Sequence, residues 1–290
     1  MKTRALTVVF AVFCVAAFVP TAAAQVSFLQ VKEEVVKQRL EKAKGKNPER
    51  KAALVLLFQE AGCSESLSEQ VVKGSKIPNV VCTLKGETDS VIVVGAHFDR
   101  SDEGDGIVDN WSGASLLPTL FESLKQAKRK HTYIFVGFTD EEKGLVGSQY
   151  YVKLLKKEDI AKIHAMVNLD TLGLGDTEVW VSRADNKLVT AIATIASSMS
   201  LPVTGMNVDD VGTTDSESFR EKKIPAITLH SLTQDTMQYI HSPKDNLKAI
   251  KAKEYYQSYR LIAAYLAFLD QVLTADLPTE KIDTQSKEKK

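Results

Sequence analysis

Residues 91–99 of this 290-residue chain read VIVVGAHFD, and this stretch decides the fold class. The run from Val91 to Ala96 has no polar side chain, which is typical of a strand buried on both faces of a sheet. Similar runs occupy residues 132–138, 166–169 and 226–229, and helix-like segments follow at 112–126, 142–156, 188–199 and 248–269. This alternation predicts an α/β fold with three αβα layers around a central sheet.

A hairpin before this region adds antiparallel strands to the predicted sheet. Val71–Lys73 and Val80–Leu84 are typical of short strands, and Pro78-Asn79 is typical of the turn between them. We therefore expect a mixed, mostly parallel β-sheet. No low-complexity linker interrupts residues 25–273, so these residues are expected to form a single catalytic domain.

The two ends of the chain differ from its centre. Lys2 and Arg4 precede an apolar run at residues 5–19, and Ala22-Ala23-Ala24 offers a small-residue cleavage site. This pattern predicts a secretory signal peptide at residues 1–24, since the alternative, an anchor helix, needs roughly 20 apolar residues. We expect an exported protein, periplasmic or secreted, without membrane association after cleavage. Residues 274–290 are polar and lysine-rich, which indicates a disordered tail.

The charge balance excludes several classes of protein. Lys plus Arg and Asp plus Glu both number 37, and 44% of the residues are apolar. This composition excludes a disordered chain, a collagen and a multi-span membrane protein. A net charge of zero offers no basic surface for nucleic acid, so we expect no nucleic-acid partner.

Two cysteines remain after removal of the signal peptide, Cys63 and Cys82. Asn47-Pro48 is typical of a helix start, and we expect that helix to end at Gly62, directly before the first of them. A pair of cysteines in an exported protein predicts a disulfide. The alternative is two separate buried thiols.

Imidazole and carboxylate side chains follow the predicted strands. They belong to five segments, which are GAHFD (95–99), DNWSG (109–113), DEEKG (140–144), NLD (168–170) and IHS (240–242). Each residue alone could be a helix cap or a hydrogen-bonded polar group. In open α/β sheets, however, sites form at the carboxyl ends of the strands. Carboxylates gathered there repel one another unless cations neutralise them, and imidazole with carboxylate suits zinc.

In this order, the five segments resemble the two-zinc aminopeptidase family of peptidase clan MH. That family includes bacterial leucyl aminopeptidases and is related to the single-zinc glutaminyl cyclases. The resemblance extends from about Val91 to Leu269 and implies a zinc-exopeptidase-like form of the predicted fold. Residues 25–70 match no pattern that we can name.

The resemblance implies two zinc ions per chain, held by five side chains. His97 and Asp170 would bind one ion, Glu142 and His241 would bind the other, and Asp109 would bridge the two. Two metal ions at such a site can activate a bridging water and polarise the scissile carbonyl group.

The resemblance also implies roles for the neighbouring residues. Glu141 would be the general base, which takes a proton from the attacking water and returns it to the leaving amine. Asp99 would accept a hydrogen bond from the second nitrogen of His97 and fix its orientation. The peptide bond between Asp109 and Asn110 would be cis.

Two segments depart from the family pattern. Asp215 to Phe219 resembles the family's Asp-His-x-x-Phe segment, but Ser216 replaces the histidine. We expect Asp215 to lie at the pocket wall or behind the ligands, or else to cap a helix. Ile240 precedes the last histidine where some members have a tyrosine, so no oxyanion partner is assigned. His131, His164 and His230 are interpreted as structural, with His230 also a candidate for the pocket wall.

The predicted function is that of a metallo-exopeptidase, an aminopeptidase acting on peptides with a free N-terminus. One alternative is a glutaminyl cyclase with a single zinc ion on Asp109, Glu142 and His241. Another is a carboxypeptidase or dipeptidase of the same fold, which would need a basic residue for the substrate carboxylate. The candidates for that residue are Arg100, Arg183 and Arg220. The non-enzymatic alternative is a zinc-binding structural or adhesion module.

Overall fold

A computed structural model describes residues 26–43 and 45–273 of the chain. The predicted signal peptide and the predicted polar tail therefore lie outside the described residues. Within the part of the chain that the structure describes, no helix combines the length and the apolar character that crossing a membrane requires.

Within the described residues, eight strands form one sheet. They are Leu67–Gln70 (β1), Asn79–Leu84 (β2), Val91–His97 (β3), Thr132–Phe138 (β4), Ile163–Leu169 (β5), Thr177–Val179 (β6), Val203–Gly205 (β7) and Ala226–His230 (β8). Their order across the sheet is β1-β2-β4-β3-β5-β8-β6-β7. The β3/β4, β3/β5, β5/β8 and β6/β7 pairs are parallel, and the others are antiparallel. The prediction of a mixed, mostly parallel sheet is confirmed.

In the part of the chain that the structure describes, eight α-helices cover the two faces of this sheet. They are Glu33–Leu40 (α1), Asn47–Glu60 (α2), Ser112–Leu124 (α3), Val146–Leu154 (α4), Lys157–Lys162 (α5), Asn186–Met199 (α6), Ser216–Arg220 (α7) and Ala252–Val272 (α8). Successive residues of β3 point to opposite faces, as the pleat of a strand requires. Ile92 and Val94 pack in the core with α1, α2, α3, α6 and α8, whereas Val93 packs with α4, α5 and α7. The prediction of three αβα layers is confirmed.

The first strand of the early hairpin is displaced from its predicted position. It was expected at Val71–Lys73, but β1 is Leu67–Gln70, and Val71 is 80% exposed. The residues of β1 are mostly polar because the strand pairs only with β2, at the end of the sheet. A strand of that kind lacks the apolar pattern from which strands are predicted.

A disulfide joins Cys63 to Cys82, as predicted. Cys63 lies just beyond the last turn of α2, and Cys82 lies in the middle of β2. The bond therefore connects the helical N-terminal region to the antiparallel side of the sheet.

Candidate active site

The loop that carries Asp109 joins β3 to α3. A short helical turn, Ile107–Trp111, leads into the helix, and the peptide bond between Asp109 and Asn110 is cis. The backbone N–H groups of Val108 and Asp109 donate to the two carboxylate oxygens of Asp245, at 2.6 and 3.4 Å. Asp245 lies four residues after His241, so these bonds connect two of the five predicted segments.

Asn110 fastens this loop to the end of β5. Its side-chain amide donates to the Leu169 carbonyl at 2.8 Å, and its oxygen accepts the N–H groups of Gly113 (2.9 Å) and Thr171 (3.2 Å). A Cβ atom at Gly113 would lie 2.5 Å from the Leu169 carbonyl oxygen. The first turn of α3 can approach β5 this closely only because residue 113 is a glycine. Asn110 thereby fixes the residue after Asp109 to the backbone of the residue before Asp170.

The five predicted ligands come together in two groups that share Asp109. In one group, His97 Nε2 lies 3.1 Å from Asp109 Oδ1 and 3.7 Å from Asp170 Oδ1. In the other, His241 Nε2 lies 3.2 Å from Asp109 Oδ2 and 2.9 Å from Glu142 Oε2. Each oxygen of the Asp109 carboxylate therefore faces a different histidine.

The chemistry of this set fits metal ions. One donor atom from each of His97, Asp109 and Glu142 can be chosen so that all lie within 4.8 Å of one another. Among the described residues, the buried Glu142 Oε1 and His97 Nδ1 have no hydrogen-bond partner. Carboxylates buried this close together repel one another unless positive charge lies between them. Imidazole nitrogen and carboxylate oxygen are donors that zinc accepts.

Asp99 holds the turn that carries the two glutamates. Its carboxylate oxygens accept the backbone N–H groups of Glu141 (3.1 Å) and Glu142 (3.2 Å). The predicted partner, His97 Nδ1, lies 3.5 Å from Asp99 Oδ1. Asp99 therefore also holds the backbone of the turn at Glu141 and Glu142. The sequence did not suggest this contact, because it is made to backbone groups of another segment.

Glu141 lines the pocket beside the proposed ligands. Burial raises the pKa of its carboxyl group well above the ordinary value. The negative charges of Asp215, Asp170 and Asp109 act in the same direction, and His97 opposes them. A carboxyl group in such a place holds a proton more readily than one in water.

Asp215 is fully buried, and its charge acts on the carboxyl group of Glu141. Neither carboxylate oxygen has a hydrogen-bond partner among the described residues, and its side chain does not cap α7, which begins at the next residue. Burial raises the pKa of Asp215 to about 7, and Asp170 and Asp99 contribute in the same direction. The helix-cap alternative therefore does not describe this residue.

The pocket next to the two groups has an apolar wall. Besides the site residues, it is lined by Trp180, Val208, Leu232, Ile240, His230 and several threonines. His230 Nε2 lies 3.0 Å from the Met206 carbonyl oxygen, and Nδ1 accepts the Leu232 N–H at 3.1 Å. Burial lowers the pKa of His230 to about 4, so the ring is neutral at pH 7 and both nitrogens have backbone partners.

Each of the three arginines that could bind a substrate carboxylate already has a partner within the protein. Arg100 donates to the carbonyl oxygens of Ser101 and Gly104, both at 2.9 Å. Arg183 stacks on the Trp180 ring and pairs with Asp209 at 3.0 Å. Arg220 pairs with Glu217 at 2.7 Å. The geometry gives no support to a carboxypeptidase-like anchor.

The other two histidines lie at the amino ends of β4 and β5, at the opposite end of these strands from the site. His131 Nδ1 lies 3.1 Å from Asp270, and His131 Nε2 lies 3.3 Å from His164 Nδ1. Two residues were missed from the sequence. They are Asp245 and Arg50, whose guanidinium group donates to the carbonyl oxygens of Asp105 and Gly106 in the loop before Asp109. Neither follows a predicted strand or belongs to the five segments that carry the family resemblance.

Comparisons with known proteins bear on the family and the fold of this chain. Residues 79–266 match Peptidase family M28. Aminopeptidase Y of Saccharomyces cerevisiae is 32% identical over 120 residues, which are 41% of this chain and 22% of that protein. An aminopeptidase of Pseudomonas aeruginosa is 39% identical over 104 residues, 36% of this chain and 19% of that protein. The chain thus spans about a fifth of the length of these curated relatives.

Three solved structures share the fold. LapA aminopeptidase of Legionella pneumophila has a TM-score of 0.71 at 22% identity, with 87% of this chain and 79% of that chain covered. A zinc aminopeptidase of Bacillus subtilis has a TM-score of 0.61 at 23% identity, with 66% of this chain and 49% of that chain covered. A glutaminyl cyclase of Porphyromonas gingivalis has a TM-score of 0.62 at 21% identity, with 81% of this chain and 95% of that chain covered. Aminopeptidases and glutaminyl cyclases therefore share this fold, and the fold alone does not distinguish between the two activities.

Proposed function

This chain belongs to peptidase family M28, and we propose that it is a zinc-dependent aminopeptidase. It would hydrolyse the first peptide bond of peptides that have a free N-terminus. The observation that carries this proposal is the pair of donor groups sharing Asp109, with the buried carboxyl group of Glu141 beside them in one pocket.

The proposed ligands follow from the two groups. His97, Asp109 and Asp170 would hold one zinc ion, and Asp109, Glu142 and His241 would hold the other. Zinc bound there would lower the pKa of water and polarise the scissile carbonyl group. Support comes from the donor chemistry of the site and from the zinc aminopeptidase of Bacillus subtilis that shares the fold.

Glu141 would act as the general base. Its carboxylate would take a proton from the water that attacks the scissile carbonyl carbon, and would give that proton to the nitrogen of the leaving amine. A residue with this role must hold the proton between the two transfers, which a raised carboxyl pKa favours. Asp99 would keep Glu141 in place through its backbone N–H group.

The remaining groups would orient the substrate. Glu141 and Asp170 are the carboxylates of the pocket that can attract the positive charge of a free N-terminus. The apolar wall formed by Trp180, Val208 and Leu232 suits an apolar first side chain. The neutral, backbone-bonded ring of His230 adds no charge to that wall.

A peptide mixture tests the proposal directly. Zinc-loaded protein is incubated with short peptides that begin with apolar, charged or glutamine residues, together with N-acetylated copies, and mass spectrometry identifies the products. We expect loss of one N-terminal residue, from free amines only and most rapidly from peptides with an apolar first residue. Metal analysis should find two zinc ions per chain.

Two other outcomes would contradict the proposal. Loss of ammonia from the glutamine peptides alone, with one zinc ion per chain, would indicate a glutaminyl cyclase. Shortening from the C-terminus would indicate a carboxypeptidase, and one of the three arginines would then have to leave its present partner.

The processing of the chain is part of the proposal. Residues 1–24 would be removed on export, residues 25–273 would form one catalytic domain, and residues 274–290 would form a polar tail. Expression in a bacterium followed by N-terminal sequencing of the exported protein tests the first point. Gln25 is the expected first residue, and an N-terminus retained at Met1 would contradict it.

A further inference from the structure

Arg50 reaches the site from outside the part of the chain that matches the family. It lies in the first turns of α2, whereas the match begins at residue 79. Despite its charge, Arg50 is fully buried. A buried arginine needs partners for its N–H groups, and these partners show what the residue does.

The guanidinium group of Arg50 binds both ends of one loop segment. Its Nε donates to the carbonyl oxygen of Phe98 at the end of β3. Its Nη1 and Nη2 donate to the carbonyl oxygens of Asp105 and Gly106, at 3.2 and 2.7 Å. Because the guanidinium is rigid and planar, one side chain sets the distance between the two ends of the segment.

This segment, residues 98–106, separates two of the proposed ligands. His97 precedes the segment directly. Asp109 follows it, separated from it only by residues 107 and 108. The guanidinium also lies over the Trp111 ring, 5.3 Å from its centroid. Arg50 therefore contacts the chain on both sides of Asp109.

The charge of Arg50 complements the site. Burial lowers its pKa to about 10, while Asp99, Asp245 and Asp109 act in the opposite direction. Arg50 is therefore protonated at neutral pH. Its positive charge faces the carboxylates that the site brings together.

We propose that Arg50 is a positioning residue that fixes segment 98–106 and thereby holds Asp109 at the distance from His97 that metal binding requires. The proposal rests on the proposed function for its kinetic readout, whereas its metal-binding readout is independent of the reaction. A simple structural attachment of α2 to the sheet is the competing explanation.

Arg39 supplies a matched control. It is also a buried arginine of an N-terminal helix, 6% exposed, but it bonds to Thr119 at 3.1 Å and Glu122 at 2.5 Å, both on α3. The test compares Arg50→Lys with Arg39→Lys. Each variant keeps the charge and loses the fork of donors. Zinc affinity is measured by competition with a chelator, thermal stability is measured without zinc, and kcat and KM are measured at saturating zinc.

We expect Arg50→Lys to weaken zinc binding by about tenfold or more, the scale seen when groups that orient metal ligands are lost. Its kcat should fall while its KM for the peptide stays close to the wild-type value. Arg39→Lys should lower thermal stability and leave zinc affinity unchanged. Equal zinc affinity in the two variants, or losses that follow thermal stability alone, would overturn the proposal.

If Arg50→Lys does not fold, a measurement on the wild-type protein tests the requirement that the loop is fixed before zinc binds. Hydrogen exchange is followed with and without zinc. If Arg50 fixes the loop, amides in residues 98–110 are protected before zinc is added. Protection that appears only with zinc would overturn the proposal. Wild-type protein that binds no zinc would instead overturn the proposed function, and this result is obtained before any variant is made.

Discussion

At the scale of single residues, Glu141 and Glu142 are adjacent but have different surroundings. Glu142 Oε2 lies 2.9 Å from His241 Nε2, whereas Glu141 lines the pocket and is surrounded by other carboxylates. Both backbone N–H groups donate to Asp99, so the turn presents the two side chains in fixed directions. This explains how neighbouring residues of one type can take separate roles.

The variant Glu141→Gln separates those roles. Glutamine cannot take a proton from water, so we expect turnover to fall by roughly 10²–10⁴-fold, the usual contribution of a general base. Zinc content should stay at the wild-type value because Glu141 is not a proposed ligand. Turnover is followed by mass spectrometry and zinc by metal analysis.

The matched control is Glu142→Gln, in which the neighbouring residue loses its charge. Zinc content should fall in that variant, because Glu142 is a proposed ligand. Unchanged turnover in Glu141→Gln would remove it from the role of general base. Loss of zinc from both variants would show that the two carboxylates act together on the metal.

The resemblance to the family implied the roles of the proposed ligands, and a positional rule also marked some of these residues in the sequence. Each of His97, Asp170 and the Glu141-Glu142 pair follows a strand whose apolar run is visible in the sequence. Arg50 and Asp245 obey no such rule. They act on backbone groups of distant segments, and a sequence gives no indication of which carbonyl or N–H groups lack partners.

At the scale of elements, Asp270 connects the last helix to the sheet. From the end of α8, its carboxylate accepts the backbone N–H groups of Lys130 (2.9 Å) and His131 (2.8 Å), just before β4. Burial alone would raise the pKa of Asp270, but the hydrogen bonds from His131 and Lys130 lower it below its ordinary value. The folded protein therefore favours the charged form.

The sign of the pH dependence follows from this direction. A lowered folded-state pKa adds stability above the unfolded pKa, and this stability is lost as the pH falls through the folded value. We expect Asp270→Asn to lower the free energy of unfolding at pH 7 by about 1–3 kcal/mol. The difference from the wild type should begin to shrink below about pH 4, where the carboxyl group of the unfolded chain becomes protonated, and should disappear as the pH falls through the lower folded-state pKa. Urea unfolding at a series of pH values measures both.

Asp89→Asn is the control for this experiment. It removes the same charge from an 85% exposed side chain that pairs with Lys162 at the surface. Its effect on stability should be small at every pH. The contrary outcome is that Asp270→Asn lowers the free energy of unfolding by the same amount in acid as at pH 7. That result would show that the change of side-chain group, and not the lost charge, destabilises the protein.

The helix predicted over residues 142–156 is interrupted in the structure. A short helical turn at Glu141–Lys143 comes first and α4 begins at Val146. Asp140, Gly144 and Leu145 have left-handed backbone conformations, which end one turn and begin the next. Residues other than glycine rarely adopt this conformation, so the sequence pattern favoured an unbroken helix.

At the scale of the whole molecule, the disulfide joins a region outside the family match to a region inside it. Cys63 belongs to the helical N-terminal part, which carries Arg50, and Cys82 belongs to the part that matches the family. The sequence permitted both cysteines and their pairing to be predicted. The order of the strands was beyond it, because the placement of β6 between β8 and β7 depends on packing between distant segments.

Loss of the disulfide should destabilise the protein without changing its fold. The two cysteines are 19 residues apart, and closing a loop of that size contributes about 3 kcal/mol by restricting the unfolded chain. We expect a reducing agent to lower the free energy of unfolding by this amount. The Cys63→Ala/Cys82→Ala variant should be equally destabilised and should no longer respond to the reducing agent. Unchanged stability of the wild type under reduction would contradict the prediction.

The short, polar strand at the margin of the sheet has a consequence for how the protein can be cut. β1 covers the outer backbone edge of β2, whose sequence NVVCTL is β-branched and largely buried. A fragment trimmed to residues 79–266 would lose that cover, expose the unpaired edge and leave Cys82 as a free thiol. Exposed apolar edges recruit strands from other molecules. The four residues from Leu67 to Gln70 thus cover an edge that the family match alone would leave unpaired.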